Sequence, residues 1–152
     1  NMASLHATAT ALQERGVDLV VAGGSRTQFR GEQLPAGVRE LGEVSDVLLP
    51  GLYAGAEAFV LPSRHEGFGL TALEAMRSGL PVVVADSGAL AELCGPAATY
   101  VSPDRPDEIA AAVVGALDHH RPDAGALDRA AGFSWEKTAI AVDRLVGDLL
   151  EN

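Results

Sequence analysis

The sequence predicts an α/β fold with a mostly parallel sheet. Short apolar runs alternate with longer segments whose apolar positions recur at helical spacing. Glycine-containing turns follow several of those runs. Strands alternating with helices make βα units, whose ligands bind outside the carboxyl ends of the strands. At 152 residues, 47% hydrophobic and 21% charged, the chain reads as one domain with a sizeable core, neither disordered nor membrane-spanning.

The elements follow in order. Residues 2–15 read as a helix with Met2, Leu5, Ala9 and Leu12 on one stripe and Gly16 as its stop. Residues 18–22 are a short strand ended by Gly23-Gly24-Ser25. The segment 23–36, with Gly31 and Pro35, is a loop. Residues 38–41 form a second strand. Ser45 or Asp46 caps a short helix to Tyr53, with Pro50 confined to its first turn or breaking it. A buried strand over 58–61 leads through a glycine-punctuated turn into a helix reaching Ser78. Residues 81–85 form a strand, then the turn Asp86-Ser87-Gly88, a short helix over 90–93 and a strand over 98–101. Pro106 opens a helix to about Leu117. The polar connector 118–123 leads to a short helix over 124–131, ended by Gly132. Ser134 caps a terminal helix with Ala139, Val142, Leu145, Val146 and Leu149 on one face. There is no internal repeat and no low-complexity linker.

Charge and composition exclude several functions. A net charge of −10 argues against a nucleic-acid binder, which needs a basic face. No apolar run approaches the roughly 18 residues of a membrane span. The first fifteen residues lack the basic start and apolar core of a signal peptide. The single cysteine, Cys94, rules out an internal disulfide and fits a reducing compartment as a buried thiol without a basic neighbour in sequence. His6, His119 and His120 have no metal-ligand spacing, and His65 reads as a loop residue. No D-x-D, nucleophile-elbow or Walker sequence occurs.

The chemistry concentrates between residues 61 and 76. A strand, a turn carrying Gly67 and Gly69, and a helix with Leu70, Leu73 and Met76 on one face together make an anion site. The two glycines, lacking Cβ, admit a ligand close to the backbone. Glu66 precedes the helix and Glu74 lies within it. Eight residues of helix would span about 12 Å, roughly a diphosphate with a sugar at each end. Carboxylates accept from vicinal sugar hydroxyls, so the arrangement suits a nucleotide-diphosphate sugar. The plainer alternatives are a solvated loop carboxylate at Glu66 and an ordinary exposed helix residue at Glu74.

Glu66-Gly67-Phe68-Gly69-Leu70, Leu73-Glu74-Ala75-Met76, Gly79 and Pro81-Val82-Val83 closely resemble the signature of the group 1 (family four) retaining glycosyltransferases of GT-B architecture, Glu66 and Glu74 matching their E-x7-E. The resemblance extends through residues 18–24, Gly42-Glu43-Val44-Ser45-Asp46, Leu52-Tyr53-Ala54-Gly55-Ala56, Leu61-Pro62-Ser63 and Phe133-Ser134-Trp135. It implies a Rossmann-like three-layer α/β/α domain, the C-terminal, donor-binding half of a GT-B enzyme, spanning 1–152. Asn1 resembles an asparagine preceded in the family by a lysine and by a strand bearing an arginine. These are absent here, so the first strand, which would be central in the sheet, is missing, and a longer two-domain polypeptide is expected.

The resemblance also implies roles. Glu66 is the catalytic-site carboxylate beside the transferred sugar. Gly67, Phe68, Gly69 and Leu70 bind the donor through backbone amides, the Phe68 side chain serving packing. Thr71 reaches a phosphate or supports the first turn, Glu74 accepts from ribose hydroxyls, and the Val44 backbone meets the base. Gly88 and Glu92 match a family loop near the site, whereas Gly23 and Gly24 match the glycine turn after the family's second strand or are only a turn. The donor is a UDP- or GDP-hexose, and transfer is retaining and metal-independent, without cofactor. The acceptor-binding N-terminal domain of the same polypeptide is the partner. The location is cytoplasmic, any peripheral association with the inner face of the membrane residing in the absent domain. Rival readings are a GT-B epimerase or phosphorylase using the same cradle, and a non-catalytic α/β interaction domain.

Overall fold

A computed structural model describes residues 1–23, 35–119 and 121–150; Gly24, Ser25, Gly31, most of the expected 23–36 loop and His120 lie outside them. A 3-10 turn at Met2–Ser4 leads into α1 (Leu5–Gln13), β1 (Leu19–Ala22) and β2 (Val38–Gly42). Then come α2 (Leu49–Gly55), β3 (Phe59–Leu61), α3 (Leu70–Arg77), β4 (Val82–Ala85), α4 (Gly88–Cys94) and β5 (Thr99–Val101). Three helices close the order: α5 (Pro106–Ala116), α6 (Ala124–Ala131) and α7 (Trp135–Leu150).

Among the described residues every strand pairing is parallel, as the βα alternation requires, but the strands fall into two sheets, β1-β2 and β3-β4-β5. The second sheet is the middle layer of a sandwich. Successive side chains of a strand point to opposite faces. Val82 and Val84 accordingly join a core cluster with Ala72, Met76, Leu90, Leu93 and Ala126 of α3, α4 and α6. Val83 joins Leu5, Leu12, Ile109 and Val113 of α1 and α5 on the other face. Helices on both faces explain why β4 reads as an unbroken apolar run.

Local chemistry sets the boundaries. Gly16, at φ +69°, ends α1 by donating to the Gln13 carbonyl at 3.0 Å. Pro106 stands in the first turn of α5, and Ser134 Oγ accepts from the Lys137 amide at 3.2 Å to cap α7. Asp123, assigned from sequence to the polar connector, is the cap of α6, accepting from the Ala126 amide at 3.0 Å.

Two expectations are corrected. The helix before β3 starts at Leu49, without a side-chain cap from Ser45 or Asp46. Pro50 suits the first turn, so it fixes the start beside itself, and Ser45 contributes only its carbonyl, to the amides of Leu48 and Leu49. The 58–61 strand is half-buried rather than buried. Its residues pair with β4 on one edge, whereas Phe59, Val60 and Leu61 face a cavity on the other side.

That cavity, about 820 Å³, separates the two sheets. Its walls are β1 and β3, the α1 residues Leu5 and Leu12, and Val113 and Leu117. Among the described residues, neither β1 nor β3 carries a second strand partner on this side.

Candidate functional site

The loop 62–69 runs from the carboxyl end of β3 to α3. The Asn1 carboxamide donates to the carbonyls of Pro62 (2.9 Å) and Pro103 (2.8 Å), joining the loops that follow β3 and β5. The Arg64 guanidinium donates to Asp104 Oδ1 at 2.7 and 2.9 Å and ties the same two loops together from the solvent side. Glu66, two residues further on, is half-buried, and among the described residues no protein group donates to it. His65 is exposed beside it.

Gly69 is the N-cap of α3, in the left-handed region at φ +95°. A Cβ there would stand 2.7 Å from Leu90 Cδ2 and 3.2 Å from Leu93 Cδ2. Its missing side chain therefore lets α4 pack under the turn, a different reason from the ligand approach expected from sequence. At Gly67 the space is open, so close approach of a ligand remains available there. Ala72 and Leu73 both donate to the Gly69 carbonyl. The amides of Leu70 and Thr71 precede any intrahelical acceptor and stand at the positive end of the helix. Helix geometry covers only residues 70–74 of the stretch between the two carboxylates, about 6 Å of rise.

Phe68, 49% exposed, meets Phe133 edge-on, with centroids 6.3 Å apart. The Arg129 guanidinium lies over the same Phe133 ring and donates to the carbonyl of Leu93, locking α6 to the end of α4. Thr71 and Val44 both line the cavity, with Gly23, Glu43, Tyr53 and Ser63. Glu66, Gly67, Phe68, Gly69, Leu70 and Glu74 do not. Gly88 begins α4, and Glu92 is exposed on it. Cys94 is fully buried, and burial raises its thiol pKa, as a passive thiol should behave. His6 and His119 are exposed.

Sequence reasoning did not single out Tyr53 as part of the site. Its hydroxyl donates to Glu74 Oε2 at 2.9 Å. Burial first, then the hydrogen bond and charge of Glu74, hold the phenol far above its usual range. No spacing rule links residues 53 and 74, since they meet only through packing of α2 against α3.

The solved structures most like this chain share its fold. They include sucrose-phosphate synthase from Thermosynechococcus elongatus, at TM-score 0.78 and 24% identity over 99% of this chain and 43% of that one. Another is Anabaena Alr3699/HepE in complex with UDP and glucose, at TM-score 0.70 and 22% identity, covering 97% of this chain and 44% of that one. The family model for group 1 glycosyl transferases matches residues 2–119. The chain belongs to that family, and its α/β domain is of GT-B type.

Among relatives, the O-antigen chain mannosyltransferase B of Escherichia coli is 46% identical over 103 residues, 65% of this chain and 27% of that protein. The MMP alpha-(1->4)-mannosyltransferase of Mycolicibacterium hassiacum is 36% identical over 149 residues, 89% and 36% of the two chains. A GDP-mannose-dependent alpha-(1-6)-phosphatidylinositol dimannoside mannosyltransferase of Mycobacterium tuberculosis is 35% identical over 145 residues, 90% and 38%. The chain thus spans well under half the length of these relatives. Among the described residues, no helix is long and apolar enough to cross a membrane.

Proposed function

We propose that this chain binds the nucleotide-diphosphate hexose of a retaining, metal-independent glycosyl transfer. It is then the donor half of a longer polypeptide whose N-terminal domain binds the acceptor. The observation that carries the reading is the pair of carboxylates, Glu66 and Glu74, set on either side of the amino end of α3. The diphosphate lies against the Leu70 and Thr71 amides. Glu74 accepts from the ribose hydroxyls, Glu66 from hydroxyls of the transferred hexose, and the Val44 backbone meets the base. The acceptor attacks the anomeric carbon on the face from which the diphosphate departs.

The chain's contribution is electrostatic. Helix amides stabilise the charge that develops on the leaving diphosphate, and they accelerate transfer only as far as they bind the transition state more tightly than the donor. Group 1 membership supports the reaction class. The mannosyltransferase relatives, one of them GDP-mannose-dependent, support mannose as the first hexose to try. The UDP and glucose of the Anabaena complex keep a UDP-hexose beside it.

Calorimetric titration of the full-length protein with GDP, UDP and ADP, beside Glu74→Ala, tests the reading. Selective binding of one nucleotide, weakened about 10-fold or more in the variant as loss of a charged hydrogen bond predicts, is the expected result. Binding of none, or binding indifferent to Glu74, would favour the scaffold-only alternative. Anomeric configuration of the product, read by NMR, separates retaining from inverting transfer, and a glycoside rather than an epimerised sugar nucleotide as product separates transfer from epimerisation.

A further inference from the structure

The two carboxylates of the site are held differently. Among the described residues Glu66 receives no hydrogen bond from the protein, whereas Glu74 receives one from Tyr53 at 2.9 Å. The donor itself is firmly seated. Tyr53 lies near the end of α2, where Arg121 Nη1 donates to the carbonyls of Ala54 and Ala56 and so closes the helix terminus. Its ring packs at 54° against Phe59 of β3, with centroids 6.1 Å apart, and joins the edge of the core that contains Met76 and Val84. The phenol has one proton and two acceptors in reach, the Thr71 carbonyl at 3.4 Å and Glu74 Oε2 at 2.9 Å. The shorter, charge-assisted bond takes it.

We infer that Tyr53 is a positioning residue: its hydroxyl fixes the Glu74 carboxylate in the orientation that receives the ribose diol of the donor. The inference rests on the donor-binding reading above. Glu74 stands on an exposed helix face, where a glutamate samples several rotamers, and binding would otherwise have to remove that freedom. A carboxylate offers about four lone-pair sites. One goes to Tyr53, which leaves the whole of Oε1 for two vicinal hydroxyls. Because an ionised carboxylate only accepts, the phenol and the diol are both donors, and neither displaces the other. Tyr53 also lines the cavity with Thr71 and Val44, while Glu74 does not.

The test compares each nucleotide with its analogue lacking the diol, in the full-length protein: GDP against 2′,3′-dideoxy-GDP, and UDP against 2′,3′-dideoxy-UDP. The ratio of the two dissociation constants measures the diol contact alone. A general loss of structure weakens both ligands and leaves the ratio where it was. Tyr53→Phe keeps the ring and removes the donor, and is expected to lower the ratio roughly 3- to 10-fold with little change in melting temperature. Glu74→Gln should collapse the ratio, and adding Tyr53→Phe to it should change the ratio no further. Tyr53→Leu, which also lacks a donor, repeats the measurement if Tyr53→Phe folds poorly. If Glu74→Gln collapses the ratio but the Tyr53 variants weaken both ligands equally, the positioning role is overturned and donor binding stands. If Glu74→Gln leaves the ratio intact, or neither nucleotide binds, both readings fall.

Discussion

β1 and β4 are nearly the same peptide, Leu-Val-Val-Ala at 19–22 and Val-Val-Val-Ala at 82–85, and they occupy opposite surroundings. All four residues of β4 are buried, between β3 and β5 and under helices on both faces. In β1 only Leu19 is buried, and Val20 is 38% exposed. Among the described residues β1 pairs with β2 alone, and its residues line the cavity. Apolar content chooses strand in both places. Burial is decided by neighbours, and neighbours come from the rest of the chain.

The largest effect expected from this contrast is in the cost of the same truncation at matched positions. Val83→Ala removes two methyl groups from a site that is 0% exposed and closed on every side, and should cost about 2–3 kcal/mol. Val20→Ala, at the same place in β1, should cost under about 1 kcal/mol, because water and the cavity already share its surface. Urea melts of the two variants decide the matter. Equal losses would mean that β1 is packed as tightly as β4 and that the contrast is wrong.

The same contrast explains what was legible in advance. Parallel βα units, the stop at Gly16, the start at Pro106 and the Ser134 cap follow from local chemistry, and each is where the sequence expects it. The half-burial of β3 was missed because it depends on which strand lies across the cavity, a property no local pattern carries. At the candidate site, Glu66, Gly69, Thr71 and Glu74 are singled out through one contiguous motif. The role of Gly69 was only half legible: its positive φ follows from the turn, but its contact with Leu90 of α4 needs the folded chain. Tyr53 was invisible because its link to Glu74 crosses two helices. In α7 the sequence gives a helix with one apolar face, yet that face is uncovered, with Leu145 63% and Leu149 72% exposed.

A second, smaller effect probes how dry the β4 side is. Cys94 packs in the cluster that contains Val82 and Val84, and burial raises its thiol above the ordinary value of 9.0. As pH climbs past that value, the unfolded chain loses a proton that the folded chain keeps. The unfolded state then binds fewer protons, so stability falls with rising pH, at most about 1.4 kcal/mol per unit. The loss begins near pH 9, earlier than any contribution from Tyr53 or Tyr100, whose values are raised from 10.0. Cys94→Ala should flatten the stability profile between pH 9 and 10. An unchanged slope in thermal melts across that interval would show that the thiol already meets water.

The smallest effect expected is in surface charge, and it separates packing from ion pairing as the cause of the contrast. Two exposed arginine–aspartate contacts can be compared: Arg64 with Asp104 at 2.7 Å beside the β3-β4-β5 sheet, and Arg39 with Asp18 at 4.0 Å beside β1-β2. All four side chains are more than half exposed. The first pair has the better geometry, since Nε and Nη2 both reach Asp104 Oδ1, but solvent and salt screen it. A double-mutant cycle on Arg64 and Asp104 should therefore give a coupling of about 0.5 kcal/mol, vanishing in high salt, and the Arg39–Asp18 cycle should give less. Couplings of that size cannot produce the gap expected between Val83→Ala and Val20→Ala, which would leave apolar burial as its source. A coupling above about 1.5 kcal/mol at Arg64 would instead make the loop carrying Glu66 a stabilising clamp, and part of the difference between the halves would belong to it.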